Sequence, residues 1–260
     1  MKVVILCGGY GTRIRDVSEH LPKPMLPIGE HPILWHVMKI YSHHGINDFI
    51  LCLGHNGWRI KEYFLNYHAM IGDFTIELKD ASSIEYHAHT EADWRITMAN
   101  TGIRSMTGAR LWKVRKYLEN EEHFCLTYGD GVADLDISAL IEFHKKHGKV
   151  ATVTGVHPAG RFGELMLDGD KVAQFNEKPN ITEGRINGGF MVFDGKRVWD
   201  YLWPEDTLSL EAEPLPSMAK AGDMVSYRHD GFWQCMDTAR EFSLLNDIWQ
   251  QGNAPWKMWS

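Results

Sequence analysis

The residues best placed to do chemistry lie in Leu6-Cys7-Gly8-Gly9-Tyr10-Gly11-Thr12-Arg13 and, a little further on, in Pro22-Lys23-Pro24-Met25. Glycines carry no Cβ, so their N–H groups can close on a phosphate and turn inward as an anion nest. Arg13 and Lys23 add two cations near that loop. Prolines on both sides fix the Lys23 backbone and limit the entropy lost on binding. Together these residues read as a grip on a triphosphate. The spacing is not that of a P-loop, which needs four residues between its glycines and a Lys-Ser/Thr directly after. Nor is it a dinucleotide fingerprint, because the second predicted strand, Phe49 to Leu53, ends in Gly54-His55 without the ribose-binding acid.

Asp130 and Asp237 form the acidic pair of interest, each at the end of a predicted strand and beside small residues. Magnesium prefers hard oxygens, usually one or two carboxylates with phosphate oxygens and water. The plainer use of either aspartate is a turn or a helix N-cap, and Asp237 stands directly before Thr238. Spacing leaves two other stretches open. Glu177-Lys178-Pro179 with Asn187-Gly188-Gly189-Phe190 is either a phosphate and hydroxyl site or a hairpin turn with a glycine bulge. Ser105 and Arg110 flank Thr107-Gly108, where Arg110 either donates to a base or lies on the wet face of a helix capped by Thr107. His87 and His89 share a strand face, but no carboxylate or cysteine is spaced to complete a metal site with them.

Gly-Gly-x-Gly-Thr-Arg followed by Pro-Lys-Pro-Met resembles the N-terminal signature of the sugar-1-phosphate nucleotidyltransferases. The branch most resembled is the glucose-1-phosphate cytidylyltransferases. That likeness rests on Ile33-Leu34-Trp35-His36, Ser105-Met106-Thr107-Gly108, Thr127-Tyr128-Gly129-Asp130-Gly131-Val132 and Ala254-Pro255-Trp256-Lys257. It implies CTP and glucose 1-phosphate as substrates, with Mg2+ held by Asp130 and Asp237. It also implies phosphate neutralisation by Arg13 and Lys23, with Asp130 counted among the catalytic groups. The nucleotide would lie against Leu6, Gly8, Gly9, Gly11, Thr12, Ser105, Arg110 and Gly129. The sugar phosphate would meet Lys178, Asn187 and Gly188. Members of the branch form oligomers, which implies a homo-oligomer, a hexamer in particular. The resemblance further implies that the product, CDP-glucose, feeds 3,6-dideoxyhexose synthesis for surface polysaccharide.

Apolar, strand-like runs alternate with helical ones through the first two thirds of the chain, which predicts an α/β fold. The resemblance makes this a three-layer, Rossmann-like nucleotidyltransferase fold with a mixed, mostly parallel central sheet. Val3 to Leu6 suits a buried strand, and His31-Pro32 opens a helix that Gly45 closes. A helix is expected from Asn56 to Tyr67. Residues 72–101 read as a small insertion of antiparallel strands at Phe74 to Leu78, Ile84 to His89 and Trp94 to Ala99. His123 to Tyr128 and Val150 to Val156 are strands around a helix capped by Asp136. Two short strands flank Asp168-Gly169-Asp170, and another covers Ile186 to Phe193. A Pro-interrupted helical segment near Glu211 to Ala221 precedes one strand from Met224 to Met236, then a capping box at Thr238-Ala239-Arg240-Glu241. The whole of 1–260 is expected to be one domain, with 205–260 serving substrate and subunit contacts.

With 44% hydrophobic residues the chain can bury a substantial core, and no apolar run approaches the roughly 20 residues of a bilayer span. Val3 to Leu6 is too short for a signal sequence, so a cytoplasmic setting without membrane contact is expected. Cys7, Cys52, Cys125 and Cys235 sit in apolar stretches with no CxxC pair and read as free thiols. A net charge of −7 argues against nucleic acid as a partner. Trp256 and Trp259 are expected to anchor a partner subunit, since such rings are favoured at interfaces. Two rivals remain: the same chemistry with another nucleotide or sugar 1-phosphate, and a non-catalytic subunit that only binds sugar phosphates. Intact Arg13, Lys23, Asp130 and Asp237 argue against the second.

Overall fold

The computed structural model describes residues 1–9, 14, 20–79, 83–87, 91, 93–157, 164–168, 171–176 and 184–259. The first strand, β1 (Val3–Cys7), is buried along its length. Val3, Ile5 and Cys7 enter one core cluster, Val4 and Leu6 the other. A period of two with no exposed residue marks a strand covered on both faces. A short hairpin of β2 (Pro27–Ile28) and β3 (His31–Pro32) leads into α1 (Ile33–His43). Then come β4 (Asp48–Leu53), α2 (Gly57–Leu65), α3 (Tyr67–Ile71), the hairpin β5 (Phe74–Ile76) and β6 (Ile84–Tyr86), and β7 (Arg95–Asn100).

The chain continues through α4 (Thr107–Val114), β8 (His123–Tyr128), β9 (Gly131–Ala133), α5 (Ile137–His147) and β10 (Ala151–Val156). Asp136 caps α5 by accepting the Ala139 N–H at 2.9 Å, and Gly148 ends it at φ +62°. The last third holds the hairpin β11 (Glu164–Asp168) and β12 (Lys171–Asn176), then β13 (Ile186–Asp194), α6 (Pro214–Lys220), β14 (Met224–His229), β15 (Trp233–Cys235) and α7 (Ala239–Gln250).

Seven strands form the main sheet in the order β14-β10-β13-β8-β1-β4-β7. Only β13 runs against its neighbours, so the sheet is mixed and mostly parallel, as expected. Side chains of α1, α2, α5 and α7 fill one core cluster and those of α4 and α6 the other, giving three layers. The carboxyl ends of β1, β4, β7 and β8 share one edge with the amino end of β13, where Gly155 pairs with Asn187.

Four expectations need correction. The segment at Trp94 to Ala99 is not antiparallel: β7 lies parallel to β4 at the edge of the main sheet. Its Ile96 and Met98 pack on one core cluster and Ala99 enters the other, which draws it out of the insertion. The helix expected at Asn56 to Tyr67 breaks at Asn66 into α2 and α3. The long strand at Met224 to Met236 is two strands that break near Gly231, where an added Cβ would stand 2.4 Å from Asp134 Oδ1. Trp256 is no anchor for a partner, being fully buried and stacked on Phe232 and Trp249 within this chain. The turn at Gly169-Asp170 lies outside the described residues.

Two buried histidines tie this packing to pH. His36 lies among Trp35, Trp249, Trp256 and Trp259, with Nε2 2.9 Å from the Ile28 carbonyl. His144 lies with its Nδ1 2.8 Å from Thr152 Oγ1. Burial pushes each down to about 4 from an ordinary 6.5. The folded state therefore binds fewer protons than the unfolded chain between those values. Stability should be complete above about pH 6.5 and fall as pH drops toward 4, by a few kcal/mol in all. Urea unfolding at pH 7 and pH 5 should show the loss, and a flat profile would contradict it.

Candidate active site

Lys23 stands in a short turn, Lys23–Met25, fixed by Pro22 and Pro24 and anchored by buried Met25 and Leu26. Its ammonium lies 2.5 Å from Asp130 Oδ2 and also bonds Asp237 Oδ1. Burial works against the Lys23 charge, but Asp130 and then Asp237 outweigh it and hold its pKa above the ordinary lysine value.

Asp130 stands two residues past Tyr128, the last residue of β8, in the turn before β9. Gly129 lets it approach, since a Cβ there would meet Pro24 Cγ at 3.1 Å, Cys7 Sγ at 3.3 Å and the Leu6 carbonyl at 3.3 Å. Asp237 arrives from a remote part of the chain. β15 pairs with β9, Cys235 opposite Gly131, and the Met236 N–H donates to the Asp130 carbonyl at 2.8 Å. The N-cap of α7 is Thr238, which forms a capping box with Glu241. Asp237 is thus not the cap, and its carboxylate turns to Lys23.

Two carboxylates that reach a single ammonium can reach a single metal ion. Their hard oxygens suit Mg2+ with phosphate and water completing the sphere. Among the described residues no cluster of three or more His, Cys, Asp or Glu side chains forms a preassembled metal cage.

A cleft of about 390 Å³ opens beside this trio. It is lined by Leu6, Gly8 and Gly9 at the end of β1 and just beyond, by Ser105 to Thr107 and Arg110 around the start of α4, and by Tyr128, Asp130, Ser209 and Glu211. Its size suits a small-molecule ligand.

Arg110 does not offer the free donor expected of it. Its side chain is buried, with Nη1 within bonding distance of Leu53 O (3.1 Å), Thr101 Oγ1 (2.7 Å) and Gly102 O (2.9 Å). Nη2 reaches Gly8 O at 2.9 Å. The guanidinium thereby ties the ends of β4 and β7 to the glycine loop. Nor does Thr107 cap α4: Met106 holds that position, and the Thr107 hydroxyl bonds Glu211 Oε2 at 2.6 Å. Ser105 Oγ sits 2.6 Å from the Thr101 carbonyl and 2.9 Å from Asp206 Oδ1, and accepts from Lys113 at 2.8 Å.

A model of the nucleotidyl transferase family matches residues 2–238. The chain belongs to that family. This nucleotidyl transferase is 48% identical over 259 residues to the glucose-1-phosphate cytidylyltransferase of Salmonella typhi and equally to that of Salmonella typhimurium, covering all of each chain. Its backbone also matches the crystal structure of HddC from Yersinia pseudotuberculosis with a TM-score of 0.66 at 24% identity, over 95% of this chain and 99% of that one. The second likeness concerns the fold.

The structure brings Leu6, Gly8, Gly9, Lys23, Ser105, Arg110, Gly129, Asp130 and Asp237 together around this cleft and the adjoining Lys23–Asp130–Asp237 cluster. Asn187 and Gly188 lie further along the same sheet edge, Asn187 Oδ1 accepting the Gly189 N–H at 2.9 Å. The Trp233 indole donates to the Gly188 carbonyl at 2.8 Å. Gly11, Thr12, Arg13 and Lys178 lie outside the described residues. Sequence reasoning missed Tyr128 and Glu211 as cleft residues. Tyr128 stands inside a quoted motif, but nothing local marks Glu211, whose partner Tyr128 is 83 positions away.

The two glycines of the loop should behave differently. A Cβ on Gly8 would lie 2.0 Å from Arg110 Cζ, while one on Gly9 meets nothing within 4 Å. Gly8→Ala should cost about 1–3 kcal/mol by overpacking. Gly9→Ala should cost less than about 0.5 kcal/mol. Urea unfolding of both variants checks the contrast.

Proposed function

We propose that this nucleotidyl transferase joins CTP and α-D-glucose 1-phosphate into CDP-glucose and pyrophosphate. The observation that carries the reading is the meeting of Lys23, Asp130 and Asp237 beside a glycine-lined cleft. Full-length identity of 48% to glucose-1-phosphate cytidylyltransferases supports the choice of substrates.

A phosphate oxygen of the sugar 1-phosphate attacks the α-phosphorus of CTP in line. A new oxygen–phosphorus bond forms, the bond to the β-phosphate oxygen breaks, and pyrophosphate carries off the electron pair. No side-chain nucleophile is needed, because positioning and charge neutralisation supply most of the rate. The N–H groups of Gly8 and Gly9 cradle the triphosphate. Lys23 neutralises phosphate charge as the leaving group departs, and Arg13 acts with it. Asp130 and Asp237 would hold Mg2+, which when bound neutralises the α-phosphate. Asn187 and Gly188 receive the sugar, and Lys178 pairs with its phosphate. Ser105 borders the base, while Arg110 holds the glycine loop through the Gly8 carbonyl.

The same reading includes a cytoplasmic setting and self-association. Among the described residues, three cysteines are buried free thiols and no helix is long and apolar enough to cross a membrane. Leu65, Met70, Phe74, Ile76, Leu78 and Ile84 are exposed apolar side chains along α2, α3 and the β5–β6 hairpin, which supports contact with further copies.

Magnesium-dependent pyrophosphate release should be greatest when glucose 1-phosphate is supplied with CTP rather than UTP, dTTP, ATP or GTP. Asp130→Asn and Lys23→Ala should each lower turnover by about 100-fold or more without unfolding the chain. Near-normal turnover in either variant would remove that residue from the mechanism, and preference for another nucleotide would overturn the choice of CTP.

A further inference from the structure

Glu211 is a carboxylate on the wall of a cleft that must admit a polyanion. Its Oε1 accepts a bond from the Tyr128 hydroxyl at 2.5 Å. Its Oε2 accepts from the Thr107 hydroxyl at 2.6 Å and from the Ser209 hydroxyl at 2.8 Å. Thr107 Oγ1 is itself fixed by the Leu210 N–H at 2.8 Å, so the donors are set from both sides. All three partners are neutral, and among the described residues no cation pairs with this group.

Hydroxyl donors orient a charge without cancelling it. An uncancelled carboxylate here repels the phosphates and favours a neutral part of a substrate that carries hydrogen-bond donors. Glu211 is exposed, and Oε1 with a single partner keeps acceptor capacity for one more donor.

Position narrows the class of donor. Tyr128 stands two residues before Asp130, and a Cβ on Gly189 would lie 2.5 Å from its Cδ2. Glu211 is therefore within one tyrosine side chain of the strand end that leads to Asp130, the carboxylate assigned to the reacting phosphate, and Gly189 of β13 lies against that tyrosine ring. A sugar ring bonded directly to that phosphate falls within such a range, whereas the base lies one ring further out.

We propose that Glu211 reads sugar hydroxyls in this cleft, its carboxylate accepting a hydroxyl of a ring attached to the reacting phosphate, either the ribose of the nucleotide or the hexose of the sugar phosphate. This rests on the reaction proposed above. A charge-assisted bond of this kind sets specificity for the hydroxylated sugar over a deoxy analogue.

The test compares wild type with Glu211→Gln on CTP and its 2′- and 3′-deoxy forms, and on glucose 1-phosphate and its 2- and 3-deoxy forms. The glutamine variant should raise KM for one hydroxylated substrate by about tenfold or more, with a smaller change in kcat. The preference of wild type for that substrate over its deoxy form should fall to within about twofold. Loss of preference in the CTP series assigns the ribose, and loss in the glucose series the hexose. Unchanged KM and preferences in the variant would overturn the proposal, as would a loss confined to discrimination between CTP and UTP. Calorimetric titration with the same pairs decides the role of Glu211 on binding alone, even if wild type releases no pyrophosphate and the proposed reaction fails. Glu211→Asp, which keeps the charge but withdraws it by one methylene, serves if the glutamine variant does not fold.

Discussion

Two carboxylates held side by side repel each other, and a fold that brings them together must neutralise that charge with a shared proton or a cation. Here that cation is the Lys23 ammonium, set between Asp130 and Asp237. Much of the local structure serves this meeting. Two prolines stiffen the lysine turn, Gly129 lets that turn press against the end of β1, and the β9–β15 pair carries Asp237 across to Asp130. Thr238 takes over the capping of α7, which leaves the Asp237 carboxylate for Lys23. All three side chains keep some solvent exposure, so incoming phosphate and metal can exchange into the site.

A second constraint lies behind the glycine loop. Arg110 is buried, yet its acceptors are chiefly carbonyl oxygens at strand and loop ends. A buried guanidinium is tolerable only when its donors are satisfied. Its hold on the Gly8 carbonyl fixes one wall of the cleft, and its bulk explains why no Cβ fits at Gly8. Glu211, which also lines the cleft, is held by the hydroxyls of Thr107, Tyr128 and Ser209. The cleft is therefore lined by both a buried cation and an exposed anion.

The parts of this arrangement legible in the sequence are those written in local pattern. The buried run at Val3 to Leu6, the glycines after it, Pro-Lys-Pro and the capping box at Thr238 each carry their own physical signature. The aspartates were legible as strand ends, although spacing alone did not separate a metal ligand from a cap. What the sequence hid depends on contacts between distant segments. The break that creates β15 falls near Gly231, which packs closely on Asp134, a neighbour only in space. The burial of Arg110 depends on the ends of β4 and β7, and the role of Glu211 on Tyr128 and Thr107. Trp256 looked like an interface residue because its type is common there, but His36, Trp249 and Phe232 enclose it within the chain.

The central claim is that Asp130 and Asp237 act as one cation site. Calorimetric titration of Mg2+ into wild type, Asp130→Asn and Asp237→Asn, each in the presence of CTP, tests it without relying on turnover. The account predicts that each substitution alone weakens Mg2+ binding by about tenfold or more, because each removes one of the two carboxylates. Wild-type Mg2+ affinity in either variant would contradict it.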